Sequence, residues 1–315
     1  MPSRVLITET LSDSAANWLA QHADVVWCPY DSSQLDQNLA QAEGLVVRTY
    51  TIVNDSFLGK APKLKVVGRA GVGLDNIDLD ACRARGVRVV YTPDANTQAV
   101  VEYVLALMLD HYRPRTDLPE RADSDAFHAL RKTEVGRQLD QLTLGIVGFG
   151  RIGKRLGRVA HAIGMRLLVC DLLPESELRQ AVDYPFDFVD HATLYAHSNI
   201  VSLHADGRPS NRHMIDAEAL RMMRSDCLFI NAARGMLVDS VALADWAKTH
   251  PDAHAILDVH DPEPPPADYP LYGLSNVRLL PHIASRTHQA LENMSMVVKD
   301  VVKVLKGKEP DYAAV

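Results

Sequence analysis

The sequence predicts an α/β protein with two Rossmann-like, doubly wound parallel sheets. Short runs rich in Val, Ile and Leu alternate with segments of helical periodicity along the 315 residues. The apolar runs are continuous rather than alternating, which is typical of strands covered by helices on both faces. Because a long helical segment divides the runs into two series, we expect two domains.

The elements follow in chain order. The first series of strands is RVLIT (4–8), GLVVRT (44–49), LKVVGR (64–69) and VRVVYTP (87–93). The segment 92–114 then shows helical spacing of apolar residues, and we expect its helix to pass from one domain to the other. The second series is LTLGIVG (142–148), RLLVCD (166–171), NIVSLH (199–204), CLFINAA (227–233), HAILDVH (254–260) and VRLLP (277–281). A single C-terminal helix over 289–307 is expected to return to the first domain.

Composition excludes several classes of protein. The net charge is −7, whereas a nucleic-acid footprint needs a clustered basic excess. The four cysteines are widely and irregularly spaced, which favours buried thiols in a reducing compartment over disulfides or a metal site. The N-terminus lacks the apolar region of a signal peptide, and no apolar run is long enough to span a membrane. We therefore expect a cytoplasmic protein without a metal, a membrane or a nucleic-acid partner.

A dinucleotide site is predicted at GFGRIG (148–153). Gly148, Gly150 and Gly153 have the spacing G-x-G-x-x-G after an apolar strand and at the start of an amphipathic helix. Glycines allow the backbone to approach a pyrophosphate, which the N–H groups of the helix N-terminus then bind. Asp171 follows Gly153 by 18 residues, close to the spacing expected for the acid that binds the adenosine ribose. An acid there repels a 2′-phosphate, so the pattern favours NAD over NADP.

Reactive side chains follow three consecutive strands of the second series. Arg234 comes after CLFIN, Asp258 and Glu263 come at and after the end of HAIL, and His282 comes after VRLLP. Ligands of open α/β sheets bind outside the carboxyl ends of the strands. Each residue alone has a structural alternative: a surface ion pair, a solvated loop acid, a turn or a core histidine. The set as a whole favours an active site.

The sequence resembles the D-isomer-specific 2-hydroxyacid dehydrogenase family over nearly the whole chain. The motifs that carry the resemblance are GRAGVGLDNID (68–78), GFGRIG (148–153), NAARG (231–235), LDVHDPEP (257–264) and PHIAS (281–285). The Arg–Glu–His triad of the family falls on Arg234, Glu263 and His282. Named members of this family act on phosphoglycerate, glycerate, lactate or hydroxypyruvate.

The resemblance implies a domain plan. Residues 1–97 and 288–315 would form a flavodoxin-like substrate domain, and residues 98–287 the NAD-binding Rossmann domain, with the active site in the cleft between them. It also implies a homodimer through the cofactor domain, for which the helix 100–112 is a candidate surface.

The resemblance further implies a mechanism. Hydride moves between the nicotinamide and C2 of a small 2-oxo or 2-hydroxy acid, and His282 supplies or removes the proton. Glu263 would favour the imidazolium and so raise the pKa of His282. Arg234 would bind the substrate carboxylate. The implied cofactor contacts are Gly148, Gly150, Arg151, Ile152, Gly153, Asp171, His204, Ala232, Ala233, Arg234, Asp258, His282 and Ala284. The implied substrate contacts are Arg48, Ala70, Gly71, Val72, Gly73, Arg234 and His282.

The sequence departs from the family at two places. The segment HADGRPSNR (204–212) has Asp206, Gly207 and Arg208 where the family has Pro-Leu-Thr. This difference is either an ordinary variation of a loop or a change that affects cofactor or substrate binding. Tyr50 stands where some phosphoglycerate relatives carry a second arginine, for which Arg113 and Arg115 are possible substitutes. The regulatory C-terminal domain of long phosphoglycerate dehydrogenases is not expected.

Two alternatives to the general dehydrogenase remain open within the family: phosphoglycerate dehydrogenase itself and a non-catalytic dinucleotide sensor. A third, a Rossmann protein for an adenosyl cofactor, is disfavoured by the triad and by the two-domain plan.

Overall fold

The chain forms two compact units in the computed structural model, which describes residues 2–121 and 123–315. Unit 1 comprises Met1–Ala99 and Ser285–Val315, and unit 2 comprises Val100–Ala284.

Unit 1 is built on a five-stranded sheet in which every neighbouring pair is parallel, in the order β2-β1-β3-β4-β5. This is the flavodoxin-like order. The strands are β1 (Arg4–Ile7), β2 (Asp24–Trp27), β3 (Gly44–Val47), β4 (Val66–Arg69) and β5 (Arg88–Tyr91). Its first helices are α1 (Asp13–Ala20), α2 (Leu35–Leu39), α3 (Asp55–Gly59) and α4 (Leu79–Ala84), and α5 (Thr97–Tyr112) leads into unit 2.

Unit 2 is built on a seven-stranded parallel sheet in the order β12-β11-β10-β9-β6-β7-β8, a Rossmann arrangement extended by one strand. The strands are β6 (Thr143–Val147), β7 (Arg166–Cys170), β8 (Asp187–Phe188), β9 (Ile200–Leu203), β10 (Leu228–Asn231), β11 (His254–Leu257) and β12 (Val277–Leu279). The helices are α6 (Ser124–Thr133), α7 (Arg151–Ala162), α8 (Glu175–Gln180), α9 (His191–His197), α10 (Ala217–Met222) and α11 (Ser240–Thr249), with short 3₁₀ turns at Leu139–Gln141, Pro209–Asn211 and Gly235–Leu237. The sequence prediction of two doubly wound parallel sheets is confirmed.

The C-terminal segment forms two helices, α12 (His288–Ser295) and α13 (Val298–Leu305), so the prediction of one continuous helix is wrong. The hydroxyl of Ser295 donates to the carbonyl of Leu291 at 2.7 Å and accepts the backbone N–H of Ser12 at 3.0 Å. The chain leaves the helix directly after Ser295, where this side chain bonds to a distant loop. The apolar periodicity continues across the break and did not reveal it.

Small residues in the strands of unit 1 let α13 pack closely on the sheet. A Cβ atom on Gly68 would lie 2.4 Å from the side chain of Val301. Val298, Val301 and Val302 are buried at 5% exposure or less. Helix α13 therefore covers β3 and β4, and its valine side chains lie so close to β4 that only glycine fits at position 68.

The four cysteines, Cys28, Cys82, Cys170 and Cys227, are all buried and unbridged. Burial raises the pKa of the Cys170 thiol to about 11. The prediction of buried structural thiols is confirmed.

Candidate active site

The carboxyl edge of the sheet in unit 2 has its topological switch point between β6 and β9. These strands are neighbours, and β7 lies on the opposite side of β6. The loop 148–153 follows β6, and His204 follows β9. Ligands of doubly wound sheets bind at such a crevice.

The glycines of the loop fit a bound dinucleotide. Gly148 has φ +90°, and a Cβ atom on it would lie 2.7 Å from the carbonyl carbon of His204. A Cβ atom on Gly153 would lie 2.3 Å from the carbonyl oxygen of Gly148. Gly150 has open space within 4 Å of its Cβ position. Two glycines thus permit the tight turn, while the third leaves the outer face accessible to a ligand.

The N-terminus of α7 leaves its first N–H groups available for an anion. Its N-cap is Gly150, which has no side chain to cap the helix. The carboxylate of Asp171 accepts the N–H of Phe149 at 2.5 Å and that of Leu173 at 2.8 Å. The acid therefore lies directly against the glycine loop and retains lone pairs for ribose hydroxyls. These residues fit an NAD molecule.

His282 and Glu263 form a pair, as the sequence predicted. The Nδ1 atom of His282 lies 2.8 Å from Oε2 of Glu263, and the two side chains are 38% and 35% exposed. A carboxylate can only accept, so Nδ1 carries the proton of this bond. His282 has φ +55°, a left-handed conformation that is uncommon outside glycine and costs strain. In the described part of the chain, Nε2 has no hydrogen-bond partner and is available to a substrate.

Asp258 fixes the main chain that carries His282. Its carboxylate accepts the N–H of Ile283 at 2.9 Å and that of Ala284 at 2.8 Å, and the hydroxyl of Tyr103 donates to it at 3.4 Å. The side chain is 1% exposed, and burial raises its pKa despite these bonds. Burial and the charge of Asp258 raise the pKa of Tyr103 to about 12. Sequence reasoning missed Tyr103, which lies on α5 more than 150 residues away in the chain.

Arg234 lies on a loop held by Asn231. The side chain of Asn231 donates to the carbonyl of Arg234 at 2.8 Å and accepts the N–H of Ala233 at 3.0 Å. A Cβ atom on Gly235 would lie 1.9 Å from the carbonyl oxygen of His260, so only glycine fits after the arginine. Asn231 is fully buried and was not predicted as a site residue, although a polar residue ending an apolar strand was a visible signal.

His204 lies beside the glycine loop and is poorly suited to proton transfer near neutral pH. Its Nε2 is 2.9 Å from the hydroxyl of Ser202, and burial lowers its pKa to about 4. The ring is therefore neutral. His204 therefore stays a predicted cofactor contact.

The divergent loop after His204 is held by its own charges. The guanidinium of Arg208 donates to both carboxylate oxygens of Asp206, at 2.7 and 2.5 Å. The amide of Asn211 donates to the carbonyl of Asp206 at 3.1 Å. The added charge pair is thus an internal bridge within the loop.

In unit 1, the segment 70–73 offers two free N–H groups. Ala70 donates its N–H to Val47, and Gly71, with φ +156°, donates to Arg69. The carbonyl of Gly71 accepts both the N–H and the hydroxyl of Thr92. In the described residues, the N–H groups of Val72 and Gly73 have no such partner and remain for a ligand.

Two further sequence candidates have their own surroundings. Arg115 forms an ion pair with Asp110 within unit 2. Arg113 donates its backbone N–H to Leu109.

Over residues 2–121 and 123–315, no group of three or more His, Cys, Asp or Glu side chains is arranged to hold a metal ion. No helix within these ranges is long and apolar enough to cross a membrane.

Together, these features define a dinucleotide-binding α/β protein with an imidazole–carboxylate pair at the carboxyl edge of its sheet. The family model described as "D-isomer specific 2-hydroxyacid dehydrogenase, NAD binding domain" matches residues 105–284. The chain belongs to the D-isomer-specific 2-hydroxyacid dehydrogenase family, and unit 2 contains its NAD-binding domain.

The chain is similar in sequence to two dehydrogenases over nearly its whole length. A D-3-phosphoglycerate dehydrogenase of Archaeoglobus fulgidus is 33% identical over 307 residues, which are 96% of this chain and 58% of the relative. An (S)-sulfolactate dehydrogenase of Chromohalobacter salexigens is 35% identical over 308 residues, 96% of this chain and 97% of the relative. The chain therefore spans little more than half of the phosphoglycerate dehydrogenase and nearly all of the sulfolactate dehydrogenase.

A solved structure of similar fold is a D-lactate dehydrogenase from Aquifex aeolicus in complex with NAD and lactic acid. It matches with a TM-score of 0.81 at 26% identity and covers 96% of both chains.

Proposed function

We propose that this chain is an NAD-dependent D-2-hydroxyacid dehydrogenase that interconverts a small 2-oxo acid and its D-2-hydroxy acid. The observation that carries the proposal is the His282–Glu263 bond of 2.8 Å, on the same edge of the sheet as the NAD loop. The three strands that end before Arg234, Asp258 and His282 are adjacent in the sheet. This brings a cation, a buried acid and an acid/base pair to the edge where NAD binds.

His282 acts as the acid/base in this proposal. When bound, the cofactor supplies and accepts the hydride at C2. In reduction, the protonated Nε2 of His282 gives its proton to the C2 oxygen, and in oxidation the neutral Nε2 removes it. Glu263 holds the ring through its hydrogen bond to Nδ1. Asp258 keeps the chain at His282 in its strained conformation by fixing the next two N–H groups.

Arg234 binds the substrate carboxylate and polarises the C2 oxygen. A guanidinium makes two parallel hydrogen bonds to a carboxylate and remains charged throughout. Asn231 bonds the N–H of Ala233 and the carbonyl of Arg234, and so fixes the backbone from which the Arg234 side chain extends. We assign further substrate contacts to Arg48 and to the free N–H groups of Val72 and Gly73. Ala70 and Gly71 contribute to this site by forming the turn that presents the N–H groups of Val72 and Gly73.

The decisive test is NADH oxidation by the purified chain with a panel of 2-oxo acids: glyoxylate, pyruvate, hydroxypyruvate, 3-phosphohydroxypyruvate and 3-sulfopyruvate. NADPH is run in parallel, and Asp171 predicts a preference for NADH. The relatives named above make the phosphorylated and sulfonated acids the leading candidates. NADH binding without turnover of any acid would instead support a dinucleotide sensor.

The first prediction concerns His282→Gln, which removes the titratable group while keeping a polar side chain. We expect kcat to fall by about 10²-fold or more, because general acid–base catalysis contributes that much, with NADH binding retained. His197→Gln, at an exposed position on α9, is the matched control. Stopped assays at saturating NADH measure kcat, and fluorescence measures binding. Undiminished turnover in His282→Gln would contradict the assignment.

We also propose a homodimer. Most apolar side chains of α5, the surface suggested by the sequence, pack in the core of unit 2. The following segment is different, because none of the ten residues of α6 is buried. Leu118, Phe127 and Val135 are 55%, 42% and 78% exposed. A second copy that covers these side chains would explain why such large apolar groups are exposed in one chain, and light scattering of the purified chain tests the mass.

We further propose a cytoplasmic location. The unbridged thiols support it, and fractionation of cells tests it.

A further inference from the structure

The two segments that carry the acid/base pair run side by side beyond the ends of neighbouring strands. Residues 258–263 follow β11, and residues 280–284 follow β12, which is paired with β11. The backbone N–H of Leu280 donates to the carbonyl of Leu257 at 2.8 Å, so the pairing continues just beyond the strands. After that point, the contacts that join the two segments set the distance between the imidazole and the carboxylate.

One of these contacts is a buried hydrogen bond from the side chain of His260. Its Nε2 lies 2.8 Å from the carbonyl oxygen of Leu280, and the residue is 8% exposed. A carbonyl oxygen can only accept, so Nε2 carries the proton of this bond. The ring also meets the ring of Tyr269 edge to face, with the centroids 5.7 Å apart. Packing and the hydrogen bond together hold the imidazole of His260 in one orientation.

The hydrogen bond, rather than the filling of space, is what a histidine adds at this position. In the residues that the structure describes, Nδ1 of His260 is buried and has no hydrogen-bond partner. An unpaired buried nitrogen costs free energy, and a phenylalanine ring would fill a similar volume without that cost. The bond from Nε2 to Leu280 is the contact that offsets it.

The backbone of His260 also borders the loop that carries Arg234. A Cβ atom on Gly235 would lie 1.9 Å from the carbonyl oxygen of His260. His260 therefore contacts the turn after Arg234 through its main chain and the segment before His282 through its ring. Glu263 follows His260 by three residues. The three residues of the predicted triad thus extend from backbone that meets at this position.

The backbone around His282 is bound on both sides. Asp258 accepts the N–H groups of the two residues after it, and His260 binds the carbonyl of Leu280, two residues before it. Asp258 alone fixes only the backbone after His282. A hydrogen bond weakens steeply as its geometry departs from the optimum, so a small shift of the preceding backbone would change the 2.8 Å contact between His282 and Glu263.

We propose that His260 is a positioning residue for the acid/base step. By donating to Leu280, its ring holds the backbone before His282 against the segment that carries Glu263, and so aligns the imidazole with the carboxylate. His260 acts through these two residues and transfers no proton itself. The inference rests on the proposed dehydrogenase function and extends it from the reacting groups to the residue that aligns them.

Two substitutions separate the hydrogen bond from the packing of the ring. His260→Phe keeps a ring of similar volume and loses the donor, whereas His260→Gln places an amide nitrogen near the position of Nε2, where it can donate to Leu280. His250→Phe is the matched control, because the ring of His250 also bonds a main-chain carbonyl, that of Trp246, at 2.9 Å. His250 precedes β11 and so lies at the opposite edge of the sheet.

Steady-state kinetics with the preferred 2-oxo acid at saturating NADH give kcat and KM for each protein. We expect kcat of His260→Phe to fall about tenfold, the equivalent of one lost hydrogen bond. KM for the acid and the affinity for NADH should change by less than about threefold, because the substrate contacts remain. The thermal midpoint should stay close to that of the unmodified protein, since the variant loses a hydrogen bond and an unpaired nitrogen together. His260→Gln should recover most of kcat, and His250→Phe should retain it.

Four outcomes overturn the positioning role. They are an unchanged kcat in His260→Phe, an equal loss of kcat in His260→Phe and His260→Gln, an equal loss in His250→Phe, and a lower thermal midpoint with kcat and the affinities reduced together. The last of these would indicate a residue that only stabilises the fold.

If no 2-oxo acid is turned over, the dehydrogenase function fails, and the alignment is measured without catalysis. The nitrogen chemical shifts of the His282 ring, assigned with His282→Gln, report which nitrogen carries the proton when the ring is neutral. A proton on Nδ1 in the unmodified protein and in His260→Gln, with part of it moved to Nε2 in His260→Phe, retains the positioning role. The same tautomer in His260→Phe as in the unmodified protein rejects it.

Discussion

At the scale of single residues, two carboxylates fix the backbone that carries residues of the proposed site. Asp258 binds the two N–H groups after His282, and Glu9 binds four consecutive N–H groups from Arg48 onward. Both carboxylates serve as hydrogen-bond acceptors for backbone N–H groups. A buried carboxylate is stable only when its oxygens are satisfied in this way, so each of these acids also forces its loop into one conformation.

Glu9→Gln tests the positioning role. The amide keeps one acceptor oxygen but turns an NH₂ group toward backbone donors, so the loop 48–51 should loosen. We expect KM for the preferred acid to rise by about tenfold while kcat changes by less than about threefold, because Glu9 acts through binding. Steady-state kinetics at saturating NADH separate the two constants.

The control for this variant is Glu43→Gln, whose carboxylate pairs with Lys65 on the same sheet. A loss of kcat without a change in KM would show that Glu9 acts on the chemical step, contrary to the proposal.

At the scale of elements, the turn between β6 and α7 separates packing from ligand binding. Gly153 faces the carbonyl of Gly148, whereas Gly150 faces open space. The same motif therefore contains one glycine required by the fold and another beside open space, where we expect the cofactor to bind.

We expect Gly153→Ala and Gly150→Ala to fail in different ways. A methyl group on Gly153 would collide with backbone, so the thermal midpoint should fall, in line with a cost of about 1–3 kcal/mol for an overpacked site. A methyl group on Gly150 meets no protein atom and should leave the midpoint unchanged. It should weaken NADH binding instead, because it occupies the space through which the pyrophosphate approaches.

Differential scanning fluorimetry and NADH titration of both variants measure the two effects. Unchanged NADH affinity in Gly150→Ala would place the cofactor elsewhere.

At the scale of the whole molecule, partly buried neutral histidines should make stability sensitive to acid. Burial lowers the pKa of His204 to about 4, and burial with the nearby His254 lowers that of His111 to about 4. In the unfolded chain, these rings titrate near 6.5. Between the two values the unfolded state binds more protons, so the free energy of unfolding falls as pH decreases from 6.5 toward 4 and is unaffected above 6.5.

Thermal or urea unfolding at a series of pH values measures this slope. His204→Gln should flatten it between about pH 6.5 and pH 4, because it removes one of the two rings, whereas the exposed His197→Gln should not. Identical slopes for the three proteins would show that the burial of His204 does not govern acid stability.

The prediction of the fold from the sequence succeeded where one signal repeats many times. Continuous apolar strands between amphipathic helices indicate a covered parallel sheet, and two series of them indicated two sheets. The break between α12 and α13 escaped because the apolar periodicity continues across it, while the hydroxyl of Ser295 at this point bonds to Ser12. A contact across almost the full length of the chain leaves no local pattern.

The sequence by itself predicted two series of parallel strands between helices, the glycine loop after β6 and a carboxylate paired with His282, because these depend on periodicity and on fixed spacings within motifs. It did not reveal β2, β8 or the break between α12 and α13. The His282–Glu263 bond follows a spacing of 19 residues that the sequence displays. Only the tertiary structure decided that Tyr103 meets Asp258 and that Glu9 binds the backbone N–H of Arg48. These groups belong to segments far apart in the chain, and only the packing of the fold brings them within the range of a hydrogen bond.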